Sequence, residues 1–291
     1  MEIYVLEIKI HKVKILRLIN FYLKFKDRLK FYLCLLQKYY FNLKYFLQLS
    51  YNGAAYHGWQ NQPNAITVQE VIEKALSVLL KEKTPIVGAG RTDAGVHATQ
   101  MFAHFITEVV FLETELVYKL NALLPKDIAI QNVFKVIEDA HARFHAESRE
   151  YLYRISLQKD VFNFDTSYYV RPKLDVAKMQ EASRILLQYT DFQCFSKTNT
   201  DVKTYNCDIS RADWKLVNQE LQFTIKADRF LRNMVRAIVG TLVSIGLGKL
   251  EVEAMHEIIK SKNRSKAGYS VPAHALYLVE VAYPESIKYD K

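Results

Sequence analysis

Glycine is scarce in this chain, nine residues in 291, and none occurs between Gly95 and Gly240. Three of the nine crowd into residues 88–95, so that short stretch is where the backbone is freest. Cysteine is scarcer still. Cys34, Cys194 and Cys207 are odd in number, widely spaced and form no CxxC pair, which excludes a disulfide framework and gives no seed for a zinc or redox motif. A reducing, cytoplasmic location is the expectation that follows. Residues 1–42 contain no Gly or Pro and no apolar run longer than the six residues 31–36, which is too short for a membrane span. They also lack the small-residue cleavage signal of a secretory peptide.

Net charge is +9, but residues 1–42 hold seven Lys and two Arg against three acids and account for +6 of it. The +3 that remains supports a localised positive groove and does not by itself argue for nucleic-acid binding. Residues 1–42 read either as a basic amphipathic arm that touches anionic surfaces or, the reading we prefer, as a poorly ordered or non-native basic extension. The rest, with 50% hydrophobic and 24% charged residues in the whole chain, has the composition of a folded protein with two modest cores.

From Tyr45 onward the pattern sharpens. "YFLQLSY" alternates and Asn52-Gly53 is a turn pair, so a strand runs into a tight turn. Thr67 and Glu70 form a capping box, and Val68, Val71, Ile72, Ala75, Leu76, Leu79 and Leu80 recur at helical spacing, which predicts an amphipathic helix over 67–82. "GAGRTDAGVHA" (88–98) then leads into the alternating strand "VHATQMFAHFI", which places Asp93 in a glycine-rich loop entering a sheet. The pattern further predicts a helix at 114–123 and strands near 128–137 and 149–157. After Pro172 come a helix at 175–189, strands around 202–211 and 220–227, helices at 229–246 and 251–262, and a closing strand in "ALYLVEVAY". The expected class is α+β, with two domains at 43–148 and 149–291. Each is expected to be an antiparallel sheet with helices packed on one face, and a cleft to lie between them.

Several chemistries fail on their own requirements. The sixth position of a GxGxxG fingerprint must be glycine and is Asp93; a P-loop needs Lys-Ser/Thr after its last glycine, where Val96-His97 stands. His141 and His145 are four apart, but no HExxH pattern or nearby cysteine supplies a third metal ligand. His97 and His104 are expected on opposite faces of their strand. No GxSxG or local Cys/His signature marks a nucleophile. Asp93 is left, and the loop alone leaves open whether it carries chemistry or only bonds its own turn.

"GAGRTDAGVHA" resembles the signature of the tRNA pseudouridine synthase A family, in which the aspartate of the RTDAG core is catalytic. "YNGAAYHGWQNQPNAITVQE", "ARFHAESREYLY", "DFQCFSK", "FLRNMVRAIVG" and "VPAHALYLVEVAYP" follow in that family's order, so the likeness spans about residues 43–284. It implies that Asp93 is the catalytic nucleophile, that Arg91 replaces a flipped base in its stack, that Tyr151 is the active-site tyrosine, and that Arg236 pairs with Asp93. It further implies action on uridines 38, 39 and 40 of the tRNA anticodon stem-loop and a homodimer whose second subunit helps bind tRNA. Ala275 and Cys194 depart from the glycine and serine common at those positions.

Such an isomerisation breaks the bond from C1′ to uracil N1, turns the base and joins C1′ to C5. Nothing is gained or lost overall, so no cofactor, metal or water is required. An ionised carboxylate can attack C1′ or C6, or take a proton from C2′. A carboxylate kept charged away from water needs a partner cation such as Arg236. Arg229, Arg232 or Asn233, and Arg236 recur at helical spacing within 229–246, which reads either as guanidinium groups aimed at a cleft or as an ordinary solvated face. Tyr151 and Tyr153 share a strand face, so one of them belongs to the core. Arg143, Lys197 and Arg232 are candidate phosphate contacts. Two rivals stand beside this reading: a non-catalytic RNA-binding relative of the same fold, and an aspartate-dependent glycoside hydrolase, which normally needs a second carboxylate.

Overall fold

A computed structural model describes residues 43–198 and 202–288. The basic extension expected over residues 1–42, Cys34 included, lies outside them. Among the described residues nine strands form one sheet in the order β4-β1-β3-β9-β5-β8-β7, with two short strands, β2 and β6, beside β3 and β5. They are β1 (Leu43–Tyr51), β2 (Val87–Gly88), β3 (His97–Thr107), β4 (Ile128–Lys135), β5 (Ser148–Ser156), β6 (Tyr168–Tyr169), β7 (Ile209–Val217), β8 (Glu220–Ala227) and β9 (Leu276–Ala282). Five α-helices among the described residues accompany them: α1 (Val68–Leu80), α2 (Glu113–Leu123), α3 (Val176–Leu186), α4 (Met234–Gly246) and α5 (Ala254–Ser261). The class is α+β, as the pattern implies.

Antiparallel pairing joins β1 to β4, β5 to both β8 and β9, and β7 to β8. The strands before and after residue 148 meet where β3 runs parallel to β9 through only two registered pairs, His97↔Tyr277 and Ala98↔Leu278. Side chains extend this seam beyond its short ladder. Gln100 Oε1 accepts from the Val281 amide at 2.8 Å, and the His97 ring stacks on Tyr277 at 4.7 Å. The described residues from Lys44 onward thus pack as one compact unit.

Each helix forms for reasons legible in its residues. Thr67 caps α1 by accepting from the Glu70 amide at 3.3 Å, and Val68, Ile72, Ala75, Leu76 and Leu80 bury its apolar stripe. Asp175 caps α3 through the Lys178 amide. Helix α4 is apolar almost all round, with Ala237, Ile238, Val239, Leu242 and Val243 fully buried, because it runs through the core that β5, β7 and β8 also line. Tyr153 and Phe223 are fully buried in that core, and the Tyr153 hydroxyl donates to the Pro272 carbonyl at 2.9 Å. Of the two tyrosines on one strand face, Tyr153 is therefore the core residue.

Two expected elements need correction. The helix expected over 229–246 starts at Met234, because Asn233 takes a left-handed conformation (φ 67°) and its side-chain amide donates to Ser270 Oγ at 2.7 Å. Arg229 and Arg232 consequently lie in a turn before the helix, and their spacing from Arg236 is not a helical one. The strand expected at 202–211 begins only at Ile209 and runs to Val217. The preceding residues are instead tied sideways, with the Cys207 amide on the Thr190 carbonyl and Asp191 bridged to Asn206.

Candidate active site

The loop that carries Asp93 is clasped by the segment after β1. Tyr51 hydroxyl and Thr92 Oγ1 lie 2.9 Å apart, the Trp59 amide donates to the Thr92 carbonyl, and the Gly95 amide donates to the Tyr56 carbonyl. The clasp is close enough to dictate glycine. A Cβ on Gly58, whose φ is +87°, would fall 2.4 Å from the Thr92 carbonyl oxygen, and one on Gly53 would fall 2.0 Å from that of Val96. His97 finishes the support. Its Nδ1 accepts from the Gly53 amide at 3.0 Å while Nε2–H donates to the His274 carbonyl at 2.8 Å, which fixes a neutral tautomer, and burial lowers its pKa.

Opposite this loop stands the first turn of α4. Arg236 Nη1 donates to Asp93 Oδ2 at 3.2 Å, and Arg236 Nε donates to the Val271 carbonyl at 2.7 Å, so the guanidinium is aimed by the backbone before it meets the carboxylate. Gly240 allows the Val271 segment to lie this close. A Cβ there would sit 1.8 Å from the Tyr269 carbonyl oxygen. Arg232 approaches from the turn, with Nε 3.8 Å from Asp93 Oδ1. The side chains of Asp93 and Arg236 are 24% and 20% exposed, so the pair is sheltered yet open to a substrate.

Tyr151 forms the third side. It sits mid-sheet on β5, registered against Ile225 and Leu278, with its ring edge-on to Phe230 at 5.1 Å. Burial pushes its hydroxyl up to about 12; Arg149 acts against this and Asp93 adds to it. The hydroxyl is therefore a protonated donor at neutral pH.

A cleft of about 1630 Å³ joins these groups, and every site residue named from the sequence lines it: Arg91, Asp93, Arg143, Tyr151, Lys197, Arg232 and Arg236. That exceeds the ~300–1,000 Å³ usual for small-molecule pockets. Arg149, Lys203, Arg229 and Arg264 add to the lining, against Glu147 and Asp228 as further acids. Asp228 Oδ1 accepts from the Asp208 and Arg229 amides at 2.7 Å each, which marks it as a turn-former. Nine cations against three acids line this groove, so the modest positive balance of the residues after 42 is concentrated there.

Arg149 is one residue that sequence reasoning missed. Its Nη1 donates to the Ala146 and Asp228 carbonyls at 2.9 and 2.8 Å, and its Nη2 to the Ala89 and Arg143 carbonyls at 3.0 and 2.6 Å. One guanidinium therefore ties together the root of the Asp93 loop, the 143–146 turn and the turn carrying Arg229 and Arg232. The available signal was its place two residues before Tyr151, on the same strand face.

His145 Nδ1 accepts from the His141 amide, and His141 Nδ1 from the Arg143 amide. Among the described residues no group of three or more His, Cys, Asp or Glu is placed to hold a metal ion, and no helix is long and apolar enough to cross a membrane. Cys194 and Cys207 are buried, and burial pushes both thiols up to about 12.

The profile of the tRNA pseudouridine synthase family matches residues 49–145 and 186–284. The tRNA pseudouridine synthase A of Parabacteroides distasonis is 52% identical over 249 residues, covering 84% of this chain and 97% of that protein. That of Bacteroides fragilis is 52% identical over 246 residues, covering 84% and 98%. The Bacillus licheniformis protein of the same name is 41% identical over 239 residues, covering 81% and 97%. The chain belongs to the tRNA pseudouridine synthase family.

Proposed function

We propose that this protein isomerises uridine to pseudouridine in tRNA, at positions 38, 39 and 40 of the anticodon stem-loop, with Asp93 as the nucleophile. The observation that carries the proposal is the Asp93 carboxylate held at 3.2 Å by the Arg236 guanidinium inside a basic cleft too large for a small-molecule site. The carboxylate attacks C1′ or uracil C6, or removes the C2′ proton. In each case the N1–C1′ bond breaks, the base turns, and C5 bonds to C1′. The carboxylate leaves C1′ or C6, or the C2′ proton is returned; the C5 proton is then lost to water and N1 takes one up, with the Tyr151 hydroxyl, its ring against the extruded base, relaying the C5 proton by handing on its own as it accepts. Arg91, exposed at the cleft edge, fills the gap in the RNA stack and so offsets part of the few kcal/mol that unstacking costs. Arg143, Lys197 and Arg232 hold phosphates. The segments 43–148 and 149–291 act as the two domains that supply Asp93 and Arg236 respectively. The protein works in the cytoplasm as a homodimer, the second copy helping to bind the tRNA, and uses no cofactor.

Release of tritium from C5-labelled uridine in unmodified tRNA tests the reading. Wild type is expected to release it stoichiometrically and Asp93→Asn not at all, with both binding tRNA. Release by the variant at the wild-type rate would overturn the role given to Asp93, and reversible loss of activity in a chelator would revive a metal site.

A further inference from the structure

Phe144 is 73% exposed, and among the exposed Phe, Tyr and Trp side chains of the described residues it is the one that lines the cleft. A single exposed apolar residue needs no explanation on an ordinary surface. This one is built. Its ring packs on His141 with centroids 4.2 Å apart and planes 30° apart. His141 meets His104 edge-on at 4.7 Å, and His104 in turn lies 6.2 Å from Phe46, which is fully buried. A column of four rings thus runs from the core of the sheet to the cleft wall and ends in the exposed Phe144 ring.

The backbone is held as firmly as the ring. His104 Nδ1 accepts from the Ala142 amide at 3.1 Å, and His141 Nδ1 accepts from the Arg143 and Phe144 amides at 3.1 and 3.3 Å. Arg149 grips the Arg143 and Ala146 carbonyls on either side of Phe144. The exposed Arg143 guanidinium lies over the Phe144 ring, 5.8 Å from its centre, so a stacking base takes the place of this cation while the guanidinium moves to the phosphate. A pre-positioned aromatic face beside a cation, in a groove lined by further cations, matches a nucleotide part for part: the base stacks on the ring and the phosphate meets the guanidinium. Because the ring is already fixed, little ordering cost opposes binding.

We infer that Phe144 is a stacking platform for a nucleobase of the RNA neighbouring the reacting uridine, with Arg143 on that nucleotide's phosphate. The inference rests on the proposed RNA-modifying function and adds to it a defined base subsite that the reacting uridine does not occupy.

The test uses the full-length protein and an unmodified anticodon stem-loop RNA carrying 2-aminopurine in turn on either side of the target uridine. Wild type is expected to quench 2-aminopurine at one of those positions. Phe144→Ala and Phe144→Leu should lose that quenching and bind about 5- to 100-fold more weakly, the effect of one lost base stack. KM should rise by the same factor while kcat changes no more than about twofold. Phe144→Trp should restore both quenching and affinity, which separates stacking from mere apolar contact. Equal binding by wild type and Phe144→Ala, or full function in Phe144→Leu, would overturn the inference. So would a loss that tracks dissociation of the protein into monomers, since the ring would then be a protein contact. Wild-type protein that binds and quenches but never forms pseudouridine would sink the proposed activity and leave the stacking site standing.

Discussion

Asp93 and Arg236 lie 143 residues apart in the chain, and Arg236 Nη1 stands 3.2 Å from Asp93 Oδ2. The arginine approaches already committed, because its Nε is bonded to the Val271 carbonyl and its helix is pressed against that segment at Gly240. A forked, planar cation serves the carbonyl and the carboxylate from two nitrogens held in fixed geometry, which the flexible point charge of a lysine does not reproduce.

Arg236→Lys and Arg236→Ala are therefore expected to behave alike, each lowering single-turnover kcat by about 10²- to 10³-fold, the scale seen when one preorganised electrostatic contact is removed from a reacting centre. Arg232→Ala should do something different. Its side chain is 62% exposed and 3.8 Å from Asp93, so the variant should weaken tRNA binding and leave kcat nearly intact. Single-turnover rates beside filter-binding affinities separate the two.

Arg149→Met should cost about 2–4 kcal/mol of stability by urea denaturation, since it strands four carbonyls that one charged group now serves. Activity in the surviving folded fraction should also fall, because the same guanidinium fixes the spacing of the loops that carry Asp93 and Arg232. Arg149→Lys, with no fork, should recover less than half of either loss.

Acid should loosen the Phe144 turn before it unfolds the protein. Burial pushes His104 down to about 4, helped by the charges of His141 and Lys44, and burial likewise lowers His141, with Lys44, His145 and Arg143 nearby. Both pKa values are depressed on folding, so the unfolded chain takes up protons first as pH falls. Stability is full above about 6.5, the unfolded value, and is lost progressively toward about 4, below which His104 contributes no further slope. Urea midpoints measured between these pH values should show that slope for wild type, and His104→Asn, which keeps an acceptor but does not titrate, should flatten it.

Much of the fold was legible because its signals are local. The alternation of β1 and β3, the Thr67 cap and apolar stripe of α1, and the Asn52-Gly53 turn all lie within a few residues of what they determine. Helix 229–246 was over-extended for the same reason. Apolar spacing continued through Phe230, but a hydrogen bond from Asn233 to Ser270, distant in sequence, ends the helix at Met234. Arg149 and Phe144 were missed because neither has a motif of its own. What they do depends on carbonyls and rings brought from four separate parts of the chain.

The amino-acid order by itself determined which groups can do chemistry here: one aspartate in a glycine-freed loop, a tyrosine on a strand face and a set of arginines with no local partners. Folding decided which of those arginines faces the aspartate, which one ties the loops, and which ring is left open to the groove. Helix periods and caps act over one or two turns, whereas the seam of β3 with β9 and the approach of Val271 to α4 exist only once the sheet has closed.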